Sequence, residues 1–259
     1  PEVRAEESFW PQDPAIRVAR TGGVTTIHVL PGSANLVGGQ GVTLRLLPRV
    51  TAREMRFPGA PTTLKMACGE NPKRVYGQEK RSAPTTRMAE VAMLRQKLEE
   101  ARAYTQESDK PADFGKLALQ RVVRGELLIE NHCYRADEMA QMLDLAKEFG
   151  FTIRSFHHGI EAYKIADLLA QAGTAASIWA DWGGFKMEAY DNITENLALV
   201  TQAGARAILH TDDPNGIQRM NQDMAKAYYA GVRAGIKLTR EDAIKWVTAN
   251  PAWALGIEA

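Results

Sequence analysis

The chain lacks several features that would assign a sequence to a broad protein class. It has only two cysteines in 259 residues, Cys68 and Cys133, which form neither a disulfide framework nor a cysteine-rich zinc motif. No stretch approaches the roughly 20 consecutive apolar residues of a membrane span, and no signal peptide is visible. The formal net charge of +1 argues against a nucleic-acid partner. Localisation stays open, as either cytoplasmic or exported.

The composition is that of an ordinary globular protein. Hydrophobic residues make up 45% of the chain and charged residues 24%, which is enough apolar material for a substantial core. The length suits one large domain or two small ones. We find no internal repeat and no low-complexity linker, so we treat residues 1–259 as one domain.

From residue 115 onward, strand-like runs alternate with helical ones. The apolar run at 127–130 precedes a helical pattern from Ala136 to Phe149, which ends at Gly150, a good C-terminal cap. Thr239 with Asp242 resembles a capping box that opens the last helix. Further strands are predicted at 151–156, 174–180 and 205–210, and further helices at 161–172, 192–203 and 221–234. Repeated units of this kind are typical of a parallel sheet with helices outside.

The upstream part is less regular. Residues 23–30, 42–47 and 62–68 are strand-like, 87–106 form a long amphipathic helix, and the Gly/Pro-rich stretch 31–41 is predicted to be a loop. The glycines of that stretch lack the spacing of a dinucleotide-binding motif. The total of about seven strands predicts an α/β fold, a (β/α)8 TIM-like barrel that is incomplete because one strand is missing.

Polar side chains follow three of the predicted parallel strands. They are His132, the pair His157 and His158, and Asp212. In a βα barrel the carboxyl ends of the strands meet at one mouth, so these residues would converge. A single histidine there is more often a capping residue, and Asp213 before Pro214 is typical of a turn. Three strands with such ends together favour a site for zinc or a similar divalent ion.

Lys65 lies within an apolar strand, between Leu64 and Met66. Burying an unpaired ammonium is costly, so an inward-facing lysine needs a partner or a modification. Carboxylation to a carbamate would make Lys65 an anionic metal ligand. The alternative is a lysine on the surface of an edge strand, with Glu70 as the rival anionic ligand.

Several segments, taken in order, resemble the amidohydrolase superfamily, in its imidazolonepropionase-like and dipeptidase-like branch. The segments are GGVTTIHVLPGS (22–33), LKMACGENPKRVYG (64–77), NHCYRADEM (131–139), SFHHGIEAYKIADLL (155–169), LHTDDP (209–214) and VTANPAWALGI (247–257). They cover most of the chain, and as a set they are more specific than any one alone.

The resemblance implies a role for particular residues. The metal ligands would be His132, His158, Asp212 and Lys65, the last of these carboxylated, and they would hold one or two ions, with zinc as the foremost candidate. Asp212 and His158 would be catalytic, with Asp212 as the proton shuttle. His157, Tyr134 and Arg135 would lie near the mouth and hold the substrate.

The chain also departs from the family. Members carry a His-x-His pair on the first strand, and none of the five histidines here forms one. We therefore expect a catalytic barrel domain that begins just after that pair and lacks the family's β-sandwich domain. A single ion is then more plausible than two. The exposed strand edges would favour association into a homo-oligomer.

The expected function is metal-dependent hydrolysis of C–N bonds, in an amide, peptide-like or cyclic amide substrate of small size. The missing His-x-His motivates a second hypothesis, a catalytically incompetent barrel that serves as a scaffold or binding module. A phosphate-binding barrel is a weaker third, because helix N-termini at the mouth bind anions but no glycine-rich motif follows the last strands.

Overall fold

A computed structural model describes residues 1–107 and 109–258. Its seven strands are β1 (Thr26–Val29), β2 (Val37–Arg45), β3 (Thr63–Ala67), β4 (Leu128–Cys133), β5 (Ile153–His158), β6 (Ala175–Ile178) and β7 (Ala207–Leu209). They form one sheet in the order of the sequence. All seven coincide at least in part with strands that the sequence predicts.

The sheet is antiparallel in its first part and parallel in the rest. β1 pairs with β2, and β2 with β3, in antiparallel register, whereas β3 to β7 are all parallel. The first two strands are therefore not βα units, because the connection from β1 to β2 is too short to contain a crossover helix. The parallel part brings the carboxyl ends of five strands to one edge of the sheet.

The sheet is curled, so that its two edge strands face the same space. Ile27 and His28 of β1 line one cavity together with Ile208 and Leu209 of β7. No ladder joins β1 to β7 among the described residues. The predicted barrel is thus seen as a curled seven-stranded sheet, a half-barrel.

Helices cover the outer face of the sheet. They are α1 (Pro14–Thr21), α2 (Ala52–Met55), α3 (Glu70–Lys73), α4 (Arg87–Ala103), α5 (Phe114–Val123), α6 (Ala136–Phe149), α7 (Ala166–Ala172), α8 (Asn196–Gln202), α9 (Met220–Arg233), α10 (Arg240–Lys245) and α11 (Ala249–Ala254). A π-helical segment, Arg74–Glu79, continues α3, and short 3-10 turns lie at Ala5–Ser8, Ala162–Ile165, Met187–Ala189 and Ile217–Arg219. None of the helices in the described part is long and apolar enough to cross a membrane.

Local signals in the sequence placed several helix ends correctly. α6 has the predicted bounds, and Gly150 ends it in the left-handed conformation at φ 77°. The capping box of α10 is confirmed, since Thr239 Oγ1 accepts from the Asp242 backbone N–H and the Asp242 carboxylate accepts from the Thr239 N–H. Helices α1, α2, α3, α5 and α11 were not predicted.

The prediction of a loop at 31–41 was wrong for its second half, because β2 begins at Val37. Its glycines allow close backbone contacts. A Cβ on Gly39 would lie 2.5 Å from Val3 Cγ2, and one on Gly41 would lie 2.4 Å from Thr63 Oγ1. The glycines here therefore permit tight strand packing rather than a loop.

Strand alternation decides which side chains enter the core and which enter the curl. Every residue of β3 is buried, with Leu64 and Met66 in the main hydrophobic cluster beneath α4 and α6. Lys65 lies between them and lines the inner cavity instead. Cys68 and Cys133, at the ends of β3 and β4, are joined by a buried disulfide with Cα atoms 5.4 Å apart.

Candidate metal and catalytic site

Two histidines and an aspartate converge at the carboxyl edge of the sheet. His158 is the last residue of β5, and His210 and Asp212 come directly after β7. Their ligand atoms all lie within 4.8 Å of one another. His210 Nε2 is 3.0 Å from His158 Nδ1, and the Asp212 carboxylate lies 3.5 Å from each ring. We refer to His158, His210 and Asp212 as the ligand group.

The backbone of His158 is held in an unusual conformation. Its φ is 74°, in the left-handed region that non-glycine residues seldom adopt. The strand alternation would send neighbouring side chains to opposite faces, yet His157 and His158 both line the inner cavity. Strain of this kind persists where the surrounding structure enforces it, often at functional sites.

The spacing of the ligand group fits a divalent ion. Zinc–nitrogen distances of about 2.0–2.1 Å in tetrahedral geometry place two imidazole nitrogens about 3.3 Å apart. The observed separations of 3.0 and 3.5 Å are close to this value. Imidazole and carboxylate are also the donors that zinc accepts. The residues present therefore fit such an ion.

Burial keeps the histidines neutral. Desolvation lowers the pKa of His132, His157, His158 and His210 well below the ordinary value of 6.5. A second cause is the positive charge of Lys65, which acts on all four rings. Neutral imidazoles have a free lone pair, which is what a metal ligand requires.

Within the described residues, His132 lies beside the ligand group and is not one of its members. Its ring centroid is 4.6 Å from that of His158, and its Nε2 accepts from Asn71 Nδ2 at 3.3 Å. Its Nδ1 is buried without a hydrogen-bond partner in the described part of the chain. Of the metal ligands that the sequence predicts, the structure brings His158 and Asp212 into direct proximity and places His132 next to them.

Lys65 faces the inner cavity, with only 6% of its surface exposed. Burial lowers its pKa, although the charges of Asp212 and Glu130 oppose this shift. Its rival as a ligand, Glu70, is ion-paired with Lys186 at 2.7 Å. The sequence left open whether Lys65 faces the interior or the surface, and in the structure it faces the interior.

His157 forms a buried pair with Glu130. His157 Nε2 lies 2.7 Å from Glu130 Oε2, and burial raises the pKa of Glu130 to about 7. Glu130 is the register partner of Lys65 on the neighbouring strand. Glu130 was not among the predicted site residues, although the two-residue period of a strand puts it on the same face as His132.

An open cavity of about 400 Å³ gives access to these side chains. Its polar wall is made of Lys65, Glu130, His157, His158, His210 and Asp212. Its apolar wall comes from both edges of the sheet and from α11. A cavity of this size and mixed character is typical of a site for a small molecule.

The two remaining predicted residues lie outside the lining of this cavity. Tyr134 is buried, with its ring 4.6 Å from that of His132 and 5.5 Å from that of His158. Arg135 lies at the surface and donates two hydrogen bonds of 2.9 Å to Asp137. Asp213 accepts from the Asn215 N–H, as a turn residue does.

His210 is the member of the ligand group that sequence reasoning missed. It directly follows β7 and stands two residues before Asp212, so the signal was present in the sequence. Its role was not predicted, because only the folded structure shows that His210 lies against His158 together with Asp212.

Comparisons with known proteins identify relatives of the chain. The chain is 31% identical over 288 aligned positions to the amidohydrolase tasK of Hapsidospora irregularis, covering 99% of this chain and 29% of that protein. It is also similar to the crystal structure of an amidohydrolase from Thermotoga maritima MSB8, with a TM-score of 0.89 and 32% identity. That match covers all of this chain and 68% of the Thermotoga chain. No family model matches the sequence.

Proposed function

Because the chain belongs to the amidohydrolase superfamily, we propose that it forms the catalytic part of a metal-dependent hydrolase of C–N bonds, acting on an amide, a peptide-like or a cyclic amide substrate. The observation that carries the proposal is the ligand group of His158, His210 and Asp212 at the mouth of the curled sheet. The chain spans about 29% of the length of tasK, so the activity of the whole protein is part of this proposal.

The metal would be held by His158, His210 and Asp212, with His132 and Lys65 as the neighbouring ligands that the family resemblance implies. Zinc is the foremost candidate. When bound, a divalent cation makes water a better nucleophile at neutral pH and polarises the substrate carbonyl. Lys65 would join as a carbamate, formed when its neutral amine adds to CO2 and loses one proton.

The residues of the chain supply the proton transfers. Asp212 is only partly buried, and desolvation raises its pKa against the opposing charges of Lys65 and Lys186. We assign to it the proton of the attacking water, which it then passes to the leaving nitrogen. His158, 3.5 Å from the carboxylate, orients Asp212 and the substrate carbonyl.

Substrate binding involves the walls of the cavity. His157, held by Glu130, lies on the inner wall and has the position to contact the substrate. Tyr134 is included on the family resemblance, and its ring packs against those of His132 and His158. Arg135 is included as a substrate contact on the family resemblance, and it would have to leave Asp137 to make it.

The experiment pairs two adjacent carboxylates. We expect Asp212→Asn to lower kcat for amide hydrolysis by about 10²–10⁴-fold, the range for loss of a general base. Asp213→Asn is the control, since Asp213 forms a turn outside the ligand group and asparagine preserves that turn. Equal activity of the two variants would contradict the role of Asp212. Failure to bind zinc together with no hydrolysis would favour the scaffold hypothesis.

A further inference from the structure

Three aromatic rings cluster on the loop that follows β6. The rings of Trp179 and Trp182 have centroids 4.6 Å apart, and those of Trp182 and Phe185 are 5.3 Å apart at an interplanar angle of 29°. Phe185 also lies 5.9 Å from Trp179. We call Trp179, Trp182 and Phe185 the aromatic platform.

The platform leads from the ligand group to solvent. Its inner ring, Trp179, is only 3% exposed and lies 4.8 Å from the His158 ring. It is also nearly parallel to the His210 ring, at 13° and 6.0 Å. The outer residues Trp182 and Phe185 are 43% and 49% exposed. The platform is therefore a continuous row of packed rings, whose outer members are exposed and whose inner member lies against the candidate catalytic site.

The loop that carries the platform is anchored at several points. Lys186 forms an ion pair of 2.7 Å with Glu70, and the Glu188 carboxylate accepts from the Glu70 backbone N–H at 3.0 Å. The loop is also closed on itself, because Gly184 N–H donates to the carbonyl of Ala189 at 2.7 Å. Two large aromatic rings are thus held at a fixed position, with part of their surface in contact with solvent. Exposing apolar surface to water costs free energy, and an exposed apolar patch is typical of a binding surface.

The charges beside the platform are already neutralised. Lys186 pairs with Glu70, and Asp181 pairs with Lys226 at 3.0 Å. A charged substituent of the substrate would have to displace one of these ion-pair partners, whereas an apolar substituent needs no charged partner. The chemistry of the surface therefore favours an apolar substituent, and above all an aromatic one, which stacks on rings of this kind.

We propose that Trp182 and Phe185 bind an aromatic side chain of the substrate, next to the C–N bond that is cleaved. This inference rests on the proposed function, because it assigns the substrate class of the same site. It makes the two residues specificity determinants, whereas the ligand group carries the chemistry. Trp179 would join the two parts of the site.

The first experiment compares two amides that differ only in the side chain, acetyl-phenylalanine amide and acetyl-alanine amide. We expect Trp182→Ala and Phe185→Ala each to lower kcat/KM for the phenylalanine compound about tenfold, in line with the value of one aromatic pair. The alanine compound should change less than about twofold, since it does not reach the rings.

The matched control is Tyr190→Ala. Tyr190 is an aromatic residue at the end of the same loop and is 71% exposed, and within the described residues its ring does not stack on any ring of the platform. We expect it to leave both amides unaffected. Phe185→Leu keeps an apolar side chain and therefore controls for a loss of activity caused by unfolding. It should lose less selectivity than Phe185→Ala.

A binding measurement separates this inference from the proposed function. Tryptophan fluorescence of the Asp212→Asn protein is followed during titration with each amide, so that no turnover is needed. If Asp212→Asn binds the phenylalanine compound preferentially but the unmodified chain hydrolyses neither amide, the proposed function is contradicted and the aromatic subsite is supported. Hydrolysis with no preference between the two compounds, or no binding of the aromatic one, would overturn the subsite. A platform variant that changes only the oligomeric state in sedimentation would also overturn it.

Discussion

The imidazole of His158 lies with its Nδ1 3.0 Å from Nε2 of His210, although 52 residues separate the two in sequence. Without a cation, one ring must donate its single proton to the other for this contact to be favourable. A metal ion would replace that proton and use both lone pairs. The contact therefore marks the point at which the proposed metal dependence is most directly testable.

We predict that His210→Asn weakens zinc binding strongly, because it removes a direct ligand. Loss of a residue that only hydrogen-bonds to a ligand costs about 10- to 100-fold in metal affinity, and the loss here should be larger. Competition with a chromophoric chelator at pH 7.5 measures the affinity. His28→Asn is the control, since His28 is hydrogen-bonded to Thr63 and lines the same cavity outside the ligand group. An affinity that both variants retain would exclude His210 from the site.

Lys65 is predicted to serve function at the expense of stability. Lys65→Met removes a buried ionisable amine and replaces it with an apolar side chain of similar length, so the free energy of unfolding should stay equal or rise by about 1 kcal/mol. Hydrolysis should fall by at least about 100-fold. Lys97→Met, at an exposed position of α4, should change neither. A variant of Lys65 that unfolds readily but keeps its activity would assign the lysine a structural role instead.

Glu90 is predicted to make the protein less stable as the pH rises. Burial raises its pKa from 4.5 to about 7, and the charges of Glu138 and Glu188 add to that shift, against the Gly69 N–H bond and Arg87. The folded state therefore binds this proton more tightly than the unfolded state. Stability from this group is complete below pH 4.5 and is lost as the pH rises through about 7.

The test for Glu90 is urea unfolding of Glu90→Gln at pH 5 and pH 8. Glutamine still accepts from Gly69 but carries no charge, so we expect a gain of about 1–2 kcal/mol at pH 8, after allowance for solvent screening, and less at pH 5. Glu100→Gln, on the exposed face of the same helix, is the control. A gain of the same size at both pH values would contradict the explanation.

Gly69 is predicted to tolerate no side chain. Its φ of 82° and ψ of −149° belong to a region that only glycine occupies freely, and a Cβ would lie 2.6 Å from Glu138 Oε2. We expect Gly69→Ala to cost about 1–3 kcal/mol of stability, measured by urea unfolding. It should also lower activity, since Gly69 precedes the segment that carries Asn71 to His132.

The control for Gly69 is Gly125→Ala. Gly125 also has a positive φ, 69°, but a Cβ there would meet nothing within 4 Å. Its cost should be limited to the backbone conformation, about 1 kcal/mol. Equal losses for the two variants would mean that the contact with Glu138 contributes nothing.

Much of the parallel part of the fold could be predicted from local patterns. The bounds of α6, its Gly150 cap and the capping box at Thr239 all follow from hydrogen bonds within a few residues of each other. The antiparallel part was harder, because its glycines resemble a loop until the neighbouring strands that approach them are known. The same holds for α5, whose apolar face has meaning only against α4.

Local patterns reveal which residues end the strands, because hydrophobic periodicity and caps act over short distances. His132, His158 and Asp212 could be named in this way, whereas the direction of Lys65 stayed open between the interior and the surface. Which of these residues meet depends on the folded chain. The curl of the sheet, the left-handed backbone of His158 and the turn after β7 bring His210 to His158 and leave His132 beside them. These depend on packing between elements far apart in the chain, which no local pattern encodes.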